Sequence, residues 1–449
     1  AGRRLLARLF TSALLLSGCQ SMPDYEAGLA AAERGDHARA AEIWRPLAEA
    51  GVARAQSAIA GLYAEGLGVE LDHAAAAGWY RLAAKQGVAE AQLQLGDYLQ
   101  NGRGVPRNAA EARSWYDKAA DQGLVEAQYK GGLLHAGGGG LEPDYDKAAL
   151  RLRSAAESGH ADAQAALGGL YERGLGVPRN LARASEWWRK AGAQGHAEAQ
   201  ASLGALYEQG LGVPQDYAEA AEWWRQAAAQ GHAEAQTNLG YLYEQGLGVQ
   251  RDYAKAAEYY RLAAYQGLPE AQSNLGVLYE KGLGAPQSFT EAARWWRLAA
   301  DQNYADALHN LAYLYANGLG VPQDYFEAAQ LWRAAAAQNL PIAQYYLGRV
   351  HATGQGVARN YEAAARWYER AAAQGQAVAQ LALGELYESG RGVPRDRVRA
   401  LAWYNLAAAY LPPGAQRTRA LARRDVLAGE MSSADVERAQ RLSRDMAGR

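Results

Sequence analysis

Cysteine is almost absent from this chain, since Cys19 is the only one among 449 residues. A single thiol excludes an intrachain disulfide and every metal site that requires two or more cysteines. No zinc signature, nucleotide-binding fingerprint or Ser-His-Asp set is present either. We therefore expect neither a cofactor nor a metal site, and we expect the protein not to be an enzyme.

An excess of charge and long apolar runs are missing as well. The 46 Lys and Arg residues nearly balance the 48 Asp and Glu residues, and the formal net charge is −2. This balance argues against nucleic acid as a partner, because nucleic-acid binding depends on a basic surface. Beyond the N-terminus, no stretch reaches the roughly 18 apolar residues of a membrane-spanning helix.

The N-terminus has the pattern of a bacterial export signal. Arg3, Arg4 and Arg8 flank a short apolar run that ends at Leu16, and Leu16-Ser17-Gly18-Cys19 follows. That tetrapeptide resembles the lipobox, in which cleavage precedes the cysteine and the new terminus is lipidated. The resemblance implies a signal peptide at 1–18 and a lipidated Cys19 at the head of a linker, 19–24. Gln20 replaces the Asp that retains lipoproteins at the inner membrane, which favours the outer membrane facing the periplasm, with the cell surface as an alternative.

A motif of 36 residues dominates the rest of the chain. Its Ala-Gln mark recurs ten times in constant register, and only Leu308 breaks the identity. A fixed period of this length predicts a stack of identical supersecondary units. Such stacks offer long binding surfaces, and this predicts an interaction protein.

One repeat contains two predicted helices, of which residues 195–230 provide an example. Residues 196–209 have apolar residues at helical spacing, and Gly210 after them is suited to a left-handed helix end. Asp216 is an N-cap type and precedes the second helix, 217–230, which carries Trp223 and Trp224. A recurrent glycine inside the first helix, Gly204 here, predicts close approach of a neighbouring helix, since glycine costs a helix about 1 kcal/mol relative to alanine.

Three chemical interpretations of these recurrent residues are weaker than the structural ones. The Gly-x-Gly loop lacks the Lys-Ser/Thr of a phosphate-binding loop, and turn chemistry explains it. The aromatic pairs could stack on sugars, but core packing accounts for them better. His160, His196 and His232 recur at one phase, yet repeats about 10 Å apart would hold their rings too far apart for one metal ion.

The motif Ala-x-Ala-Gln-x-x-Leu-Gly-x-Leu-Tyr, followed by Gly-x-Gly-Val-Pro-x-Asp and Ala-x-x-Trp-Trp/Tyr, resembles the Sel1-like repeat family, a relative of tetratricopeptide repeats. The resemblance covers residues 52–411 in ten copies. It implies an all-α fold, a right-handed α-solenoid superhelix of stacked helix-turn-helix repeats. A capping hairpin at 25–51 and capping helices at 412–449 would close the ends. The third repeat departs from the motif at His135, Arg151 and Gly137 to Gly140, and we expect it to pack least well.

The resemblance also implies that the first helix of each repeat lines the concave surface, where partners bind. In the middle and late repeats this helix carries amides, hydroxyls and rings, which suit an extended peptide. The alternative is that the asparagines only bridge neighbouring helices. The candidate partner-binding residues are Thr237, Asn238, Tyr241, Ser273, Asn274, His309, Asn310, Tyr313, Tyr345, Tyr346 and Arg349.

Together these features predict a monomeric, lipid-anchored scaffold for protein–protein interaction in the bacterial envelope. Its partners would be other envelope or secretion proteins or exposed peptide segments, and its membrane contact would be the lipid anchor. An envelope signalling or regulatory protein that captures a partner domain is the alternative. A hydrolase related to cysteine-rich repeat β-lactamases is disfavoured, because those relatives carry paired cysteines in each repeat.

Overall fold

The computed structural model describes residues 23–447, which contain 24 α-helices, one 3₁₀ helix and no β-strand. These residues divide into two compact units, with the boundary after Gln230. Each unit consists of helices that pack on their neighbours in chain order, so the predicted all-α stack of helical hairpins is confirmed within both units. The predicted signal peptide and Cys19 lie outside the described residues.

The unit before the boundary contains a hairpin of two helices and then five repeats. The first helix of every repeat has an odd number, and we call it helix one; the second is helix two. The bounds are α1 Pro23–Glu33, α2 His37–Glu49, α3 Ala53–Glu65, α4 His73–Lys85, α5 Ala89–Asn101, α6 Ala109–Asp121, α7 Val125–His135, a 3₁₀ helix Gly138–Gly140, α8 Tyr145–Glu157, α9 Ala161–Arg173, α10 Leu181–Ala193, α11 Ala197–Gln209 and α12 Tyr217–Ala229.

The unit after the boundary contains five repeats and two further helices. Ser432 precedes the last helix, and its hydroxyl oxygen accepts a hydrogen bond from the Asp435 backbone N–H at 3.2 Å. The bounds are α13 Ala233–Gln245, α14 Tyr253–Tyr265, α15 Pro269–Lys281, α16 Phe289–Asp301, α17 Ala305–Asn317, α18 Tyr325–Ala337, α19 Pro341–Thr353, α20 Tyr361–Ala373, α21 Ala377–Ser389, α22 Arg397–Tyr410, α23 Ala415–Gly429 and α24 Ser433–Ala447.

The ends of the helices have the chemistry that the repeat motif predicts. Gly210 ends α11 with φ +69°, and a Cβ on Gly212, the second glycine of the loop, would lie 2.4 Å from the Leu181 carbonyl carbon. Both loop glycines are therefore required by the turn. Each helix two begins after a side chain that accepts a hydrogen bond from its first turn: Asp72, Asn108, Asp144, Asn180, Asp216, Asp252, Ser288, Asp324, Asn360 and Asp396.

The glycine inside helix one makes room for an aromatic ring of helix two. A Cβ on Gly204 would lie 2.3 Å from Nε1 of Trp224, which is 1% exposed and donates to the Ala201 carbonyl oxygen at 3.0 Å. The predicted close approach is thus confirmed, and the group that approaches is a side chain. The second ring of each aromatic pair occupies this place. The first can pack toward the preceding repeat, as does Trp223, which lies 3.1 Å from the Cβ position of Gly192.

The glutamine of the Ala-Gln mark is buried and joins consecutive hairpins. Gln92 is 4% exposed; its Nε2 donates to the Ala84 carbonyl oxygen of the preceding repeat at 3.1 Å. Its Oε1 accepts from Nε2 of Gln122, at the end of α6, at 2.8 Å. The same Gln–Gln bond recurs at Gln56–Gln86, Gln164–Gln194, Gln200–Gln230, Gln236–Gln266, Gln272–Gln302 and Gln344–Gln374.

The third repeat departs from the others in a coordinated way. Its helix α7 has 11 residues instead of the 13 of α5, and a 3₁₀ turn replaces the usual loop. At the junction between repeats, buried His135 lies 3.0 Å from Asp117, in the place where Arg153 donates to Tyr171 one repeat later at 3.2 Å. An Asp–His pair thus substitutes for an Arg–Tyr pair, and Arg151 adds a second contact to Asp117 at 3.2 Å.

The contact between Gly204 and Trp224 predicts the effect of adding one methyl group. Gly204→Ala should destabilise the protein by about 1–2 kcal/mol, because the overpacking cost exceeds the gain in helix propensity. Gly78→Ala is the matched control, since Gly78 is an exposed helix residue with no atom within 4 Å of its Cβ position. The control should be stabilising by up to about 1 kcal/mol. Urea unfolding measures both; equal shifts of the two midpoints would contradict the packing role.

Candidate functional site

The polar residues of helix one in the second unit fall on two neighbouring helical phases. Asn238 and Tyr241 are three residues apart on α13 and share one face. Thr237 lies one residue earlier, about 100° around the helix, on the side of helix two. This difference of phase decides which of the candidate residues reach the surface.

Thr237 and Ser273 are buried inside their own repeats. They are 2% and 3% exposed, and the Thr237 hydroxyl donates to the Ala233 carbonyl oxygen at 3.0 Å. The Ser273 carbonyl oxygen accepts from Nε1 of Trp296 at 3.0 Å. Neither side chain lines an accessible surface, so a partner would not contact them without local rearrangement.

His309 and Tyr345 share that inward phase and are half-buried. Nδ1 of His309 accepts a hydrogen bond from the Nε1–H of Trp332 at 3.1 Å. In this repeat Ala312 replaces the usual glycine, and the indole donates to His309 instead of to a backbone carbonyl. Burial lowers the pKa of the His309 imidazole to about 4. The ring centroids of His309 and Tyr346 lie 5.3 Å apart. The structure therefore indicates that His309 is a packing residue.

Three asparagines form a row on the outward phase, which we call the amide stripe: Asn238, Asn274 and Asn310. Each is half-buried, and none makes a side-chain hydrogen bond to another described residue. They occupy equivalent positions on the consecutive first helices α13, α15 and α17. An amide has two donors and a two-lone-pair acceptor, so the stripe offers unused hydrogen-bonding capacity at regular intervals.

Exposed rings accompany the amide stripe. Tyr241 is 43% exposed and Tyr313 is 36% exposed. At the far end, on α19, the Tyr346 ring stacks on Trp332 at a centroid distance of 4.9 Å, and the Arg349 guanidinium lies 4.7 Å from the Tyr346 centroid. The amide stripe ends at the cluster of Tyr345, Tyr346 and Arg349, because Tyr346 occupies the position that asparagine has in the three preceding repeats.

Sequence reasoning missed three carboxylates that lie one turn before the asparagines. We call Glu234, Glu270 and Asp306 the acidic row; each is exposed and lies four residues before an asparagine of the stripe. None of them takes part in an ion pair within residues 23–447. Burial raises the pKa of the Tyr304 phenol, and the charges of Glu270 and Asp306 raise it further, so two successive carboxylates act on one ring.

Two equivalent acids of the first unit are partnered by histidine, whereas the cap position that corresponds to Glu90 holds Leu124. Glu126 lies 3.2 Å from Nε2 of His160, and Asp162 lies 3.6 Å from Nε2 of His196. The other ring nitrogen of each histidine caps its helix. In the second unit the corresponding cap positions hold Leu268, Tyr304 and Leu340. This change from histidine was the signal in the sequence that could have revealed the acidic row.

The structure brings most of the predicted residues onto one surface of the second unit. Within residues 23–447, no three His, Cys, Asp or Glu side chains lie close enough to hold a metal ion together. Across the same residues, every helix is too short or too polar to cross a bilayer. What the surface can do chemically is to donate and accept hydrogen bonds, attract cations and stack on rings.

Comparison with known proteins identifies the repeat family. A model of the Sel1 repeat matches residues 53–88, 89–124, 125–160, 161–196, 197–232, 233–268, 269–304, 305–340, 341–376 and 377–409. The structure is similar to that of c5321, a protective antigen of uropathogenic Escherichia coli strains displaying an SLR fold. Identity is 32%, the match covers 90% of this chain and 94% of that one, and the TM-score is 0.63.

A second similar structure is a Sel1 repeat protein from Oxalobacter formigenes. It is 32% identical, the match covers 54% of this chain and 96% of that one, and the TM-score is 0.50. No curated protein matches the chain.

The buried His309 predicts a specific dependence of stability on pH. Its folded-state pKa of about 4 lies below the ordinary value of 6.5, so the neutral ring contributes stability that is fully present above pH 6.5 and is lost as pH falls toward 4. His309→Gln keeps an acceptor for Trp332 without titrating in this range. Relative to that variant, the wild type should lose about 3 kcal/mol between neutral pH and pH 4. Urea midpoints that fall in parallel for both proteins would contradict this account.

Proposed function

Because this chain belongs to the Sel1 repeat family, we propose that it is a non-enzymatic scaffold that captures partner proteins on the amide stripe of its second unit. Proteins with Sel1 repeats generally mediate protein–protein interaction, and their known structures are typically scaffolds without catalysis. The observation that supports a site at this place is the row of three asparagines whose side chains make no hydrogen bond within the described residues.

The surroundings of the stripe support binding more than bridging. Asparagines that served only to join neighbouring helices would be bonded to them, as Gln92 is bonded to Ala84 and Gln122. Buried polar groups in proteins are nearly always satisfied, whereas half-exposed ones remain free for water or a ligand. The exposed Tyr241 and Tyr313 add the aromatic surface that is enriched at the centre of protein interfaces.

The location that we propose is the outer membrane, with the chain anchored through Cys19 and facing the periplasm. Support comes from the sequence alone, in the basic segment, the short apolar run and the Leu-Ser-Gly-Cys tetrapeptide. Lipidation would attach the protein firmly, because each buried methylene of an acyl chain contributes about 0.8 kcal/mol. At this location a monomeric scaffold would hold other envelope or secretion proteins.

A photoreactive residue in place of Val277 tests the site directly. Val277 lies on the outward phase of α15, three residues after Asn274, and irradiation in cells should attach it to a discrete partner. The matched control is the same residue in place of Leu262, which is 45% exposed on helix two. Crosslinked adducts of equal yield at both positions, or no adduct at position 277, would contradict the function that we propose for this surface.

The asparagines themselves are tested by the double variant Asn274→Ala and Asn310→Ala. Loss of two hydrogen bonds, each contributing about 1 kcal/mol, should reduce capture of that partner by roughly tenfold or more. Thermal unfolding should be unchanged, because the two amides have no partners in the folded chain. Unaltered capture by this variant would exclude the amide stripe from the interface.

Anchoring is tested by Cys19→Ser. The hydroxyl cannot be lipidated in place of the thiol, so the variant should move from the membrane fraction to the soluble fraction. Fractionation followed by immunoblotting measures the distribution, and washing with carbonate separates anchored from loosely attached protein. A variant that stays in the washed membranes would contradict lipidation at Cys19.

A further inference from the structure

The spacing of the amide stripe restricts the conformation of whatever lies across it. Helix one of one repeat contacts helix one of the next through side chains, as when the Tyr313 and Tyr346 centroids lie 6.4 Å apart. Helices in side-chain contact have axes roughly 8–10 Å apart. Equivalent groups therefore recur at about this interval along the three repeats of the stripe.

A polyproline II segment matches this interval. It rises about 3.1 Å per residue with three residues per turn, so every third residue returns to the same face after roughly 9 Å. In a β-strand, residues three apart point to opposite faces. An α-helix repeats after two turns, about 10.5 Å, but its backbone groups are bonded internally and cannot pair with the stripe.

The unpaired amides favour an occupant with free backbone groups. A polyproline II segment has no internal hydrogen bonds, so its carbonyl oxygens are available to Asn238, Asn274 and Asn310. One asparagine side chain per turn can donate to one carbonyl of the segment. The exposed rings of Tyr241 and Tyr313 suit proline rings and the alkyl parts of long side chains.

The acidic row fixes the charge of the occupant. Glu234, Glu270 and Asp306 are exposed, and no ion pair holds them within the described residues. A first-turn carboxylate also stabilises its own helix, but in the second unit three such carboxylates without a histidine partner follow one another on consecutive first helices. Basic side chains on every third residue of a partner would meet one carboxylate per repeat.

We propose that the amide stripe and the acidic row bind a basic segment of about nine residues in the polyproline II conformation, with Lys or Arg at every third position. The length follows from three repeats with three residues for each. The cluster of Tyr345, Tyr346 and Arg349 ends the site, because α19 has Ile342 and Tyr346 where the other helices have an acid and an asparagine. The inference rests on the proposed function and identifies the class of partner.

Fluorescence anisotropy with the full chain tests the proposal. The probe is a labelled peptide of four Lys-Pro-Pro triplets, in which proline keeps the preceding residues extended. It should bind with an affinity that falls as salt rises. Two comparison peptides carry Glu in place of Lys, or the same composition with lysines two and four residues apart. Both should bind at least tenfold more weakly, and equal binding of either would overturn the proposal.

Two matched double variants connect the binding to the acidic row. Glu270→Gln with Asp306→Asn should weaken binding of the Lys-Pro-Pro probe by roughly fivefold to tenfold, because each exposed charge pair contributes up to about 1 kcal/mol. Glu258→Gln with Asp301→Asn removes the same charge from exposed positions on helix two and should leave binding unchanged. Equal effects of the two variants would overturn the proposal.

The experiments distinguish failure of the proposed partner class from failure of the proposed scaffold function. If position 277 attaches to a partner in cells while none of the peptides binds, the basic polyproline II occupant is wrong and the scaffold function stands. If neither the crosslink nor peptide binding occurs, the function proposed for this surface is wrong as well.

Discussion

The buried glutamine of each repeat is the interaction on which the stack depends. Its amide nitrogen donates to a carbonyl of the preceding repeat, and its oxygen accepts from a glutamine 30 residues later, as in Gln92 with Ala84 and Gln122. A buried amide stabilises a fold only when both of its ends are paired, because each unpaired group costs about 1–3 kcal/mol. The bond to the carbonyl oxygen therefore fixes the position of one hairpin on the next, and the Gln–Gln bond joins the two helices of one repeat.

Three repeats depart from this pattern. Where Leu308 replaces the glutamine, Gln338 donates to Asn303 instead, at 2.8 Å to its carbonyl oxygen. Where the residue 30 positions later is Ser158 or Tyr410, the Oε1 atoms of Gln128 and Gln380 are left without a hydrogen bond in the described chain. Gln128 lies in the irregular third repeat and Gln380 in the last repeat, before the terminal helices, where strict periodicity ends. The 36-residue period therefore reflects the hydrogen bonds of the buried glutamine as well as the packing of the helices.

The sequence predicted the helices and their ends because local chemistry determines them. Asp216 and Gly210 act within one turn of their own positions, so neighbouring residues were sufficient. The burial of Thr237 and Ser273 could not be predicted in the same way, since one residue, or 100° of helix, separates the inward phase from the outward one. The pair of Asp117 and His135, which replaces the Arg–Tyr pair of the following repeat, could not be predicted either. The two residues are 18 positions apart on different helices, and only the structure shows that they are in contact.

The two faces of helix one have different roles, and this explains how the repeat can bind a partner without losing its packing. Its inward phase is held by the glycine, the aromatic ring and the glutamine, while the phase of Asn274 and Glu270 makes no bond that the fold requires. The most direct test of this account is a double-mutant cycle on Gln92→Ala and Gln122→Ala, measured by urea unfolding. The account predicts a coupling energy of about 1 kcal/mol or more between the two sites. Additive losses, with no coupling between the two glutamines, would contradict it.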